Sequence, residues 1–279
     1  MTNEEIFEAK GKIDRYALKR NILSKVLIRI DYDGVTNIGN WIDQFAGDKE
    51  LSEPFNIMEK GEQNQVTFDL SRTKEIAQQR SIPLKTFRSE LITKFSDSHF
   101  KDRSDIVVME ISSLYMTFLI ECREYKNLDV YIDYICKYFK KFLEGNRFYR
   151  IKRIGIRKIG GSRFASLQDV NSIFEPNLFA CNVLGLEGTY LLDKSYTDRF
   201  RHNNVKVNFT RCCRNTGKED KPYEAVLDLD GYVDMSTIPN YGKQFPQNLK
   251  EVLAEINDYL FHLFKMAVTI KHLEDYANR

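Results

Sequence analysis

Strict alternation of apolar and polar residues over positions 25–32 is the feature that most narrows the folds open to this chain. The apolar members share one face of a strand, and they are Val26, Ile28, Ile30 and Tyr32. A strand with one apolar and one polar face belongs to a sheet that is packed on one side only. Further strands are predicted over residues 65–70, 148–159, 181–193, 205–211 and 225–233. Residues 106–122 are apolar on both faces, which predicts either a central strand or, with a turn near Ser112 and Ser113, a hairpin of two short strands.

Helical spacing of apolar residues predicts two long amphipathic helices. The first follows Asn127 as its N-cap and ends at Gly145, and the second covers residues 249–267 behind a cap at Asn248. Shorter helices are predicted over residues 3–20, 38–45, 84–95 behind Pro83, and 166–174. The order of elements predicts an α+β protein with two lobes, residues 1–165 and 166–279. Each lobe would be a mainly antiparallel sheet packed against a long amphipathic helix.

Two short segments resemble each other across the predicted lobes. Residues 30–34 read Ile-Asp-Tyr-Asp-Gly and residues 227–231 read Leu-Asp-Leu-Asp-Gly, and each segment closes a predicted strand. The echo is consistent with a duplication, and equally with chance, because Asp-Gly turns after strands are common.

Composition excludes several classes of protein. Of the 279 residues, 42% are hydrophobic, which excludes global disorder. The 42 basic and 40 acidic residues give a net charge of +2, which argues against a protein that binds its partners through a generally basic surface. The N-terminus lacks the apolar core of a secretory signal, so we expect a cytoplasmic protein without a membrane span. The five cysteines show no C-x-x-C spacing, and we expect reduced thiols. Arg211 and Arg214 flank Cys212 and Cys213, and their positive charges would lower a thiol pKa. A redox role for these two cysteines is therefore the alternative to inert thiols.

Basic residues are concentrated in residues 145–168, which contain no acidic residue. Strand alternation places Arg153, Gly155 and Arg157 on one face, and the missing side chain of Gly155 would let a ligand approach between two guanidinium groups. The candidate anion-binding residues are Arg150, Arg153, Gly155, Arg157, Arg163 and, from a second basic cluster, Lys206. Clusters on the same side of the fold could follow a nucleic-acid backbone. The alternative is a solvated run of charges paired with acidic residues elsewhere.

Paired aspartates form a second candidate site. Asp31 and Asp33 share one strand face, as do Asp228 and Asp230. Such carboxylates can hold Mg²⁺, the metal of many phosphoryl-transfer sites, whereas no other cofactor is indicated. The alternative is a surface ion pair, because Arg29 shares a face with Asp31.

Residues 153–159 read Arg-Ile-Gly-Ile-Arg-Lys-Ile, and an Ile-x-Ile strand precedes them while a Leu-Asp-Leu-Asp segment and an amphipathic helix follow. In this order of elements the chain resembles a sporadically distributed, uncharacterised prokaryotic family with an R-I-G-L/I-R-Y/K-I motif. The resemblance covers about residues 24–275. It implies an intracellular α+β protein with the patchy distribution of mobile-element cargo, and it implies no established activity.

These features predict a non-enzymatic binding or accessory protein that recognises an anionic ligand, whether a nucleic acid, a nucleotide or an acidic partner. The resemblance implies an association with mobile elements or antiviral defence. One alternative is a metal-dependent phosphoester enzyme that uses the aspartate pairs. Another is a structural assembly subunit, and a homo-oligomer is left open.

Overall fold

A computed structural model describes residues 3–18, 22–35, 38–68, 85–97, 105–123, 125, 127–146, 149–179, 193–235 and 248–278. Within these ranges the protein is α+β, with helices and a nine-stranded antiparallel sheet, as the sequence predicts. The predicted strand over residues 181–193 lies outside the described residues except for Asp193, and so does Cys181.

The strands are β1 (Leu23–Asp33), β2 (Ile57–Phe68), β3 (Lys85–Asp97), β4 (Ile106–Ile111), β5 (Tyr115–Glu121), β6 (Arg150–Phe164), β7 (Asp193–His202), β8 (Val205–Asn215) and β9 (Tyr223–Asp234). Their order across the sheet is β2-β3-β4-β5-β1-β6-β9-β8-β7. The predicted hairpin is confirmed, because β4 and β5 pair across a turn at Ser112 and Ser113. Since β6 pairs with both β1 and β9, strands from before and after residue 165 belong to one sheet. The division into two lobes at that residue stays a prediction.

The helices are α1 (Asn3–Lys12), α2 (Ile38–Gly47), α3 (Lys49–Ser52), α4 (Asp129–Gly145), α5 (Leu167–Ile173), α6 (Pro176–Phe179), α7 (Leu249–Ala267) and α8 (Ile270–Asn278), with a short 3-10 turn at Arg15–Ala17. No helix in the described ranges has the length and apolar character needed to cross a membrane. Helix α5 begins with a reciprocal capping box between Ser166 and Asp169, which fixes its start.

The helices pack on the face of the sheet that carries the alternating apolar residues. On the β1 side, Tyr32 lies against Phe142 of α4, with ring centroids 4.7 Å apart. On the β9 side, Ile256 and Leu260 of α7 lie over Gly231, where the absence of a side chain lets the helix approach the strand closely. The core is therefore a layer of side chains between the sheet and its helices, and on β1 and β9 the opposite face is mostly polar.

Three predictions about helices are wrong. The helix predicted over residues 3–20 ends at Lys12, and a separate 3-10 turn follows at Arg15–Ala17. Residues 85–97 form strand β3, which pairs with β2 and β4, rather than the predicted helix over 84–95. The positions used for that prediction include 87, 91 and 95, and a spacing of four places residues on one face of a strand as well as of a helix. Asn127 is not the N-cap of α4, because the helix begins at Asp129 and Leu128 occupies the cap position.

Candidate anion-binding face

The sheet face opposite the helices carries the residues that the sequence marks as candidates, and we call it the open face. Alternation along β6 places Arg153 and Arg157 there, while Ile154 and Ile156 are buried toward the helices. The side chains of Arg153 and Arg157 are 37% and 47% exposed, so both guanidinium groups remain accessible to solvent. The predicted shared orientation of the two arginines is confirmed.

Each of these arginines is held by an aspartate of the neighbouring strand β9. Arg157 donates from Nε and Nη2 to the two carboxylate oxygens of Asp228, at 2.8 and 2.6 Å, and these hydrogen bonds raise the pKa of the guanidinium. Arg153 donates from Nη2 to both oxygens of Asp230 at 3.0 Å. Its Nε is buried and makes no hydrogen bond within the described part of the chain. The two charges are therefore balanced by carboxylates but not sealed from water.

Gly155 does not leave the ligand gap that the sequence predicts. Gly155 lies directly opposite Tyr232 of β9, and a Cβ atom at Gly155 would lie 3.2 Å from both Gly231 O and Tyr232 Cβ. The guanidinium carbon of Arg153 lies 4.1 Å from the centroid of the Tyr232 ring. The space above the glycine thus accommodates the neighbouring strand and a tyrosine that supports Arg153.

The other candidate cations lie at different places on the sheet. Lys206 of β8 lies opposite Tyr232 and is 3.7 Å from Asp234, so it neighbours Arg153 on the open face. Arg150 and Arg163 lie near the two ends of β6, roughly 40 Å apart at the usual rise of a strand. Arg150 pairs with Asp33, and Arg163 pairs with Glu224. The structure therefore brings together only Arg153, Arg157 and Lys206 of the predicted set.

Two arginines that the prediction left out extend this group. Arg199 and Arg201 of β7 lie opposite Asn208 and Lys206, and both are exposed. Among the described residues neither has a carboxylate within ion-pair distance, and Arg201 donates from Nε to Asn203 O. Arg29 of β1 lies opposite Gly155 and therefore also belongs to the open face. We define the basic patch as Arg29, Arg153, Arg157, Arg199, Arg201 and Lys206. Its charge exceeds that of its aspartates, because the two β7 arginines are not balanced by any described carboxylate.

The four aspartates proposed as metal ligands all act as ion-pair acceptors. Asp31 accepts from Arg29 at 2.7 Å, Asp33 pairs with Arg150 and Lys152, and Asp228 and Asp230 hold Arg157 and Arg153. Hydrogen bonds from Arg150 and Lys152 lower the pKa of Asp33.

The two aspartate pairs are also on different strands. Strand β6 separates β1 from β9, so roughly 10 Å lies between the two pairs. No group of three histidine, cysteine or acidic side chains in the described ranges could hold a metal ion. The described residues therefore supply no donor set for the Mg²⁺ alternative.

The vicinal cysteines do not have the electropositive surroundings that the sequence indicates. Burial raises the pKa of the Cys212 thiol, and a hydrogen bond to Asp193 raises it further. Arg214 is directed to Glu224, and Cys213 is buried. This environment favours the protonated form of the Cys212 thiol and gives the redox alternative no support.

A second candidate site, which the sequence patterns did not predict, lies on the helix side of β6. Lys158 follows Ile154 and Ile156 on the face that packs against the helices, and its ammonium donates to Asn257 Oδ1 of α7 at 2.5 Å. Both residues line a cavity between α7 and the sheet. A lysine that shares a strand face with two buried isoleucines was the signal in the sequence.

No protein-family model matches the chain, and no curated protein or solved structure is significantly similar to it. The family resemblance drawn from residues 153–159 stays a prediction.

Proposed function

We propose that the chain is a non-enzymatic binding protein whose basic patch contacts an acidic surface of a protein partner. The observation that carries the proposal is the surplus of positive charge where β7 meets β8. Arg199 and Arg201 are exposed there beside Lys206. Arginine is suited to carboxylate recognition because its planar guanidinium donates in pairs of hydrogen bonds.

The width of the open face favours a macromolecule over a small ligand. Neighbouring strands are roughly 4.8 Å apart, so the strands β7, β8, β9, β6 and β1 together present a surface about 20 Å wide. Small ligands bind in concave pockets that bury most of their surface, whereas a macromolecule can contact a broad sheet face.

The pattern of charge favours a protein over a nucleic acid. Aspartates 31, 228, 230 and 234 lie among the cations of the patch, and evenly spaced phosphates would have to pass close to them. A folded partner can place carboxylates opposite the arginines and avoid the aspartates, or meet them with basic residues. Among the described residues only two arginines of the patch lack a paired carboxylate, so the binding of a nucleic acid would release few counterions.

Fluorescence anisotropy with a labelled acidic peptide and a labelled single-stranded oligonucleotide of equal net charge tests the proposal. We expect the peptide to bind at low salt and the oligonucleotide to bind more weakly. Arg199→Ala combined with Arg201→Ala should weaken peptide binding by at least about fivefold, equivalent to about 1 kcal/mol for two exposed charges. Lys250→Ala is the matched control, because it removes an exposed cation from the helix side.

Absence of peptide binding at low salt, or an equal loss in Lys250→Ala, would refute the proposal. Stronger binding of the oligonucleotide would assign the patch to nucleic acid instead. The link to mobile elements or antiviral defence stays a prediction from the family resemblance.

The alternative, a structural assembly subunit, depends on whether an edge of the sheet can pair with a second copy of the chain. Strand β7 lies at the edge of the sheet that the described residues form, and its side chains include Asp193, Lys194, Asp198, Arg199 and Arg201. Charged side chains on an edge strand oppose pairing with a second copy. Light scattering that gives a monomer mass across a wide range of protein concentration would agree with this argument, and a stable large oligomer would contradict it.

A further inference from the structure

A cavity of ≈ 70 Å³ lies between helix α7, strand β6 and the segment that contains Arg15. That volume is several times what one water molecule requires. The walls are mostly apolar, with Leu128, Leu229, Leu260, Phe261 and Phe264 among them. An apolar cavity with a few convergent polar groups is the usual form of a small-molecule site.

The ammonium of Lys158 is the polar group at the sheet side of this cavity. Its hydrogen bond is to the neutral amide oxygen of Asn257, which is itself 2% exposed. No described carboxylate lies within ion-pair distance of Lys158, whereas the buried Lys10 pairs with Glu175. Within the described part of the chain, Lys158 therefore brings a positive charge into an apolar cavity without a paired negative charge, which is costly in the absence of a counter-ion.

Three other polar side chains border the cavity, and they are Tyr125, Asn127 and Arg15. Asn127 turns its Oδ1 atom into a buried position where it accepts no hydrogen bond from the described residues. Arg15 pairs with Asp258 and lies over the Phe261 ring, with its guanidinium carbon 5.2 Å from the centroid. The Arg15 charge is thus balanced within the protein, and among the described residues that border the cavity the Lys158 charge is the one left for a ligand.

We propose that this cavity binds a small organic monocarboxylate with an apolar body, whose carboxylate pairs with the Lys158 ammonium. The site lies on the opposite side of the sheet from the basic patch and is independent of it. A single negative charge balances the single unpaired positive charge, whereas the double charge of a phosphate would need donors that the apolar walls do not supply. The aromatic and leucine walls fit a short aliphatic or single-ring body.

The protonation of Lys158 couples binding to pH. Burial, reinforced by the Arg15 charge, lowers the pKa of Lys158 to about 8. The other groups that act on it are Cys122, Asp129 and Asp258. Carboxylates and guanidinium groups keep their charges between pH 7 and 9.5, and burial raises the pKa of Cys122 to about 12, so that thiol stays neutral. Burial also raises the pKa of Tyr125, which borders the cavity, so its hydroxyl stays neutral as well. Among the described groups near the cavity, Lys158 is then the one that changes charge in this range.

Isothermal titration with benzoate, its neutral isostere benzamide and inorganic phosphate tests the proposal on the full chain. We expect benzoate to bind at pH 7 at least about tenfold more tightly than benzamide or phosphate. In the protein without ligand, a Lys158 side chain with a pKa near 8 is about 90% protonated at pH 7 and about 3% protonated at pH 9.5. Benzoate binding should therefore weaken by about 30-fold when the pH is raised from 7 to 9.5. Shifts of the Asn257 side-chain amide signals would place the ligand in the cavity.

Lys158→Met keeps the length of the side chain and removes its charge, and we expect it to weaken benzoate binding by at least about tenfold. Arg157→Met is the matched control, since it removes a cation one residue away on the opposite face and should leave benzoate binding unchanged. Asn257→Ala is a second variant that removes the partner of the ammonium, and circular dichroism checks that each variant is folded.

Several results would overturn the proposal. They are no benzoate binding up to about 10 mM, equal binding of benzamide, tighter binding of phosphate, and unchanged binding in folded Lys158→Met. These outcomes are separate from the function proposed for the open face. Peptide binding depends on the β7 arginines, so either proposal can fail while the other stands.

Discussion

Substituting Gly231 by alanine measures how closely helix α7 packs on the sheet. The new Cβ atom would lie 2.8 Å from Leu260 Cδ2 and 3.0 Å from Ile256 Cγ2, whereas carbon atoms in contact prefer about 3.5–4.0 Å. The helix must therefore move by about 0.5–1 Å, or the two side chains must leave their rotamers. Overpacking of this kind costs about 1–3 kcal/mol. Alanine recovers about 0.4–1 kcal/mol by restricting the unfolded chain.

The free energy of unfolding should fall by about 1.3 kcal/mol in Gly231→Ala, which is the difference between the midpoints of these two ranges. Urea denaturation followed by circular dichroism measures it. Gly39→Ala is the control, because Gly39 lies in helix α2 and a Cβ atom there meets nothing within 4 Å. Its stability should stay equal or rise by up to about 1 kcal/mol.

A double-mutant cycle makes the test sharper. Leu260→Ala alone should cost about 2–5 kcal/mol, because Leu260 is fully buried. In the Gly231→Ala background it should cost at least about 0.5 kcal/mol less, since the alanine at 231 then has room. Additive effects, or a Gly231→Ala variant as stable as the parent, would refute the contact between α7 and β9.

Three further predictions follow from buried and paired groups. Asp33 has a pKa below its ordinary value because Arg150 and Lys152 hydrogen-bond to it, so its contribution to stability is present above about pH 4 and is lost as pH falls below that value. Asp33→Asn should therefore flatten the acid side of the stability profile measured by urea denaturation, and an unchanged profile would contradict the pairing. Tyr131→Phe removes the hydroxyl that donates to the buried Asp105 carboxylate, and unfolding by urea should show a loss of about 1–3 kcal/mol; no loss would refute the buried contact. Burial raises the pKa of Cys122 to about 12, so a thiol reagent at pH 8 should modify it at least about tenfold more slowly in the folded protein than in urea, and equal rates would show an exposed thiol.

Local patterns predicted much of the fold. The alternation in β1 and the apolar stripe of α7 each identify an element and the face that it buries, because each pattern has only one structural period. The pattern in β3 was ambiguous for the same reason, since positions 87, 91 and 95 fit both periods. Side-chain direction along β6 was also predictable, and it separates Arg157 on the open face from Lys158 on the helix side.

Local sequence patterns could not predict the partners of those side chains. Arg157 meets Asp228 because β9 pairs with β6 in a particular register, and 71 positions separate the two residues in the sequence. The same register places Tyr232 opposite Gly155 and removes the gap expected there. The cavity at Lys158 likewise depends on where α7 crosses the sheet, which sequence periodicity does not specify.

The order of the strands bears on the sequence echo between residues 30–34 and 227–231. Strand β1 is followed by two short helices, a run of strands that returns from the sheet edge to pair with β1, and the long helix α4. Strand β6 is followed in the same way by α5 and α6, by strands that return to pair with β6, and by α7. In this repeated order β1 corresponds to β6, whereas the echo joins β1 to β9, the last strand of the second series. The Asp-x-Asp-Gly segments therefore occupy different positions in the repeated order of elements. The similarity of their sequences is better explained by a local structural requirement that β1 and β9 share. Strands β1 and β9 both flank β6, and each supplies a carboxylate that accepts hydrogen bonds from an arginine of β6. Asp33 of β1 accepts from Arg150, and Asp228 of β9 accepts from Arg157.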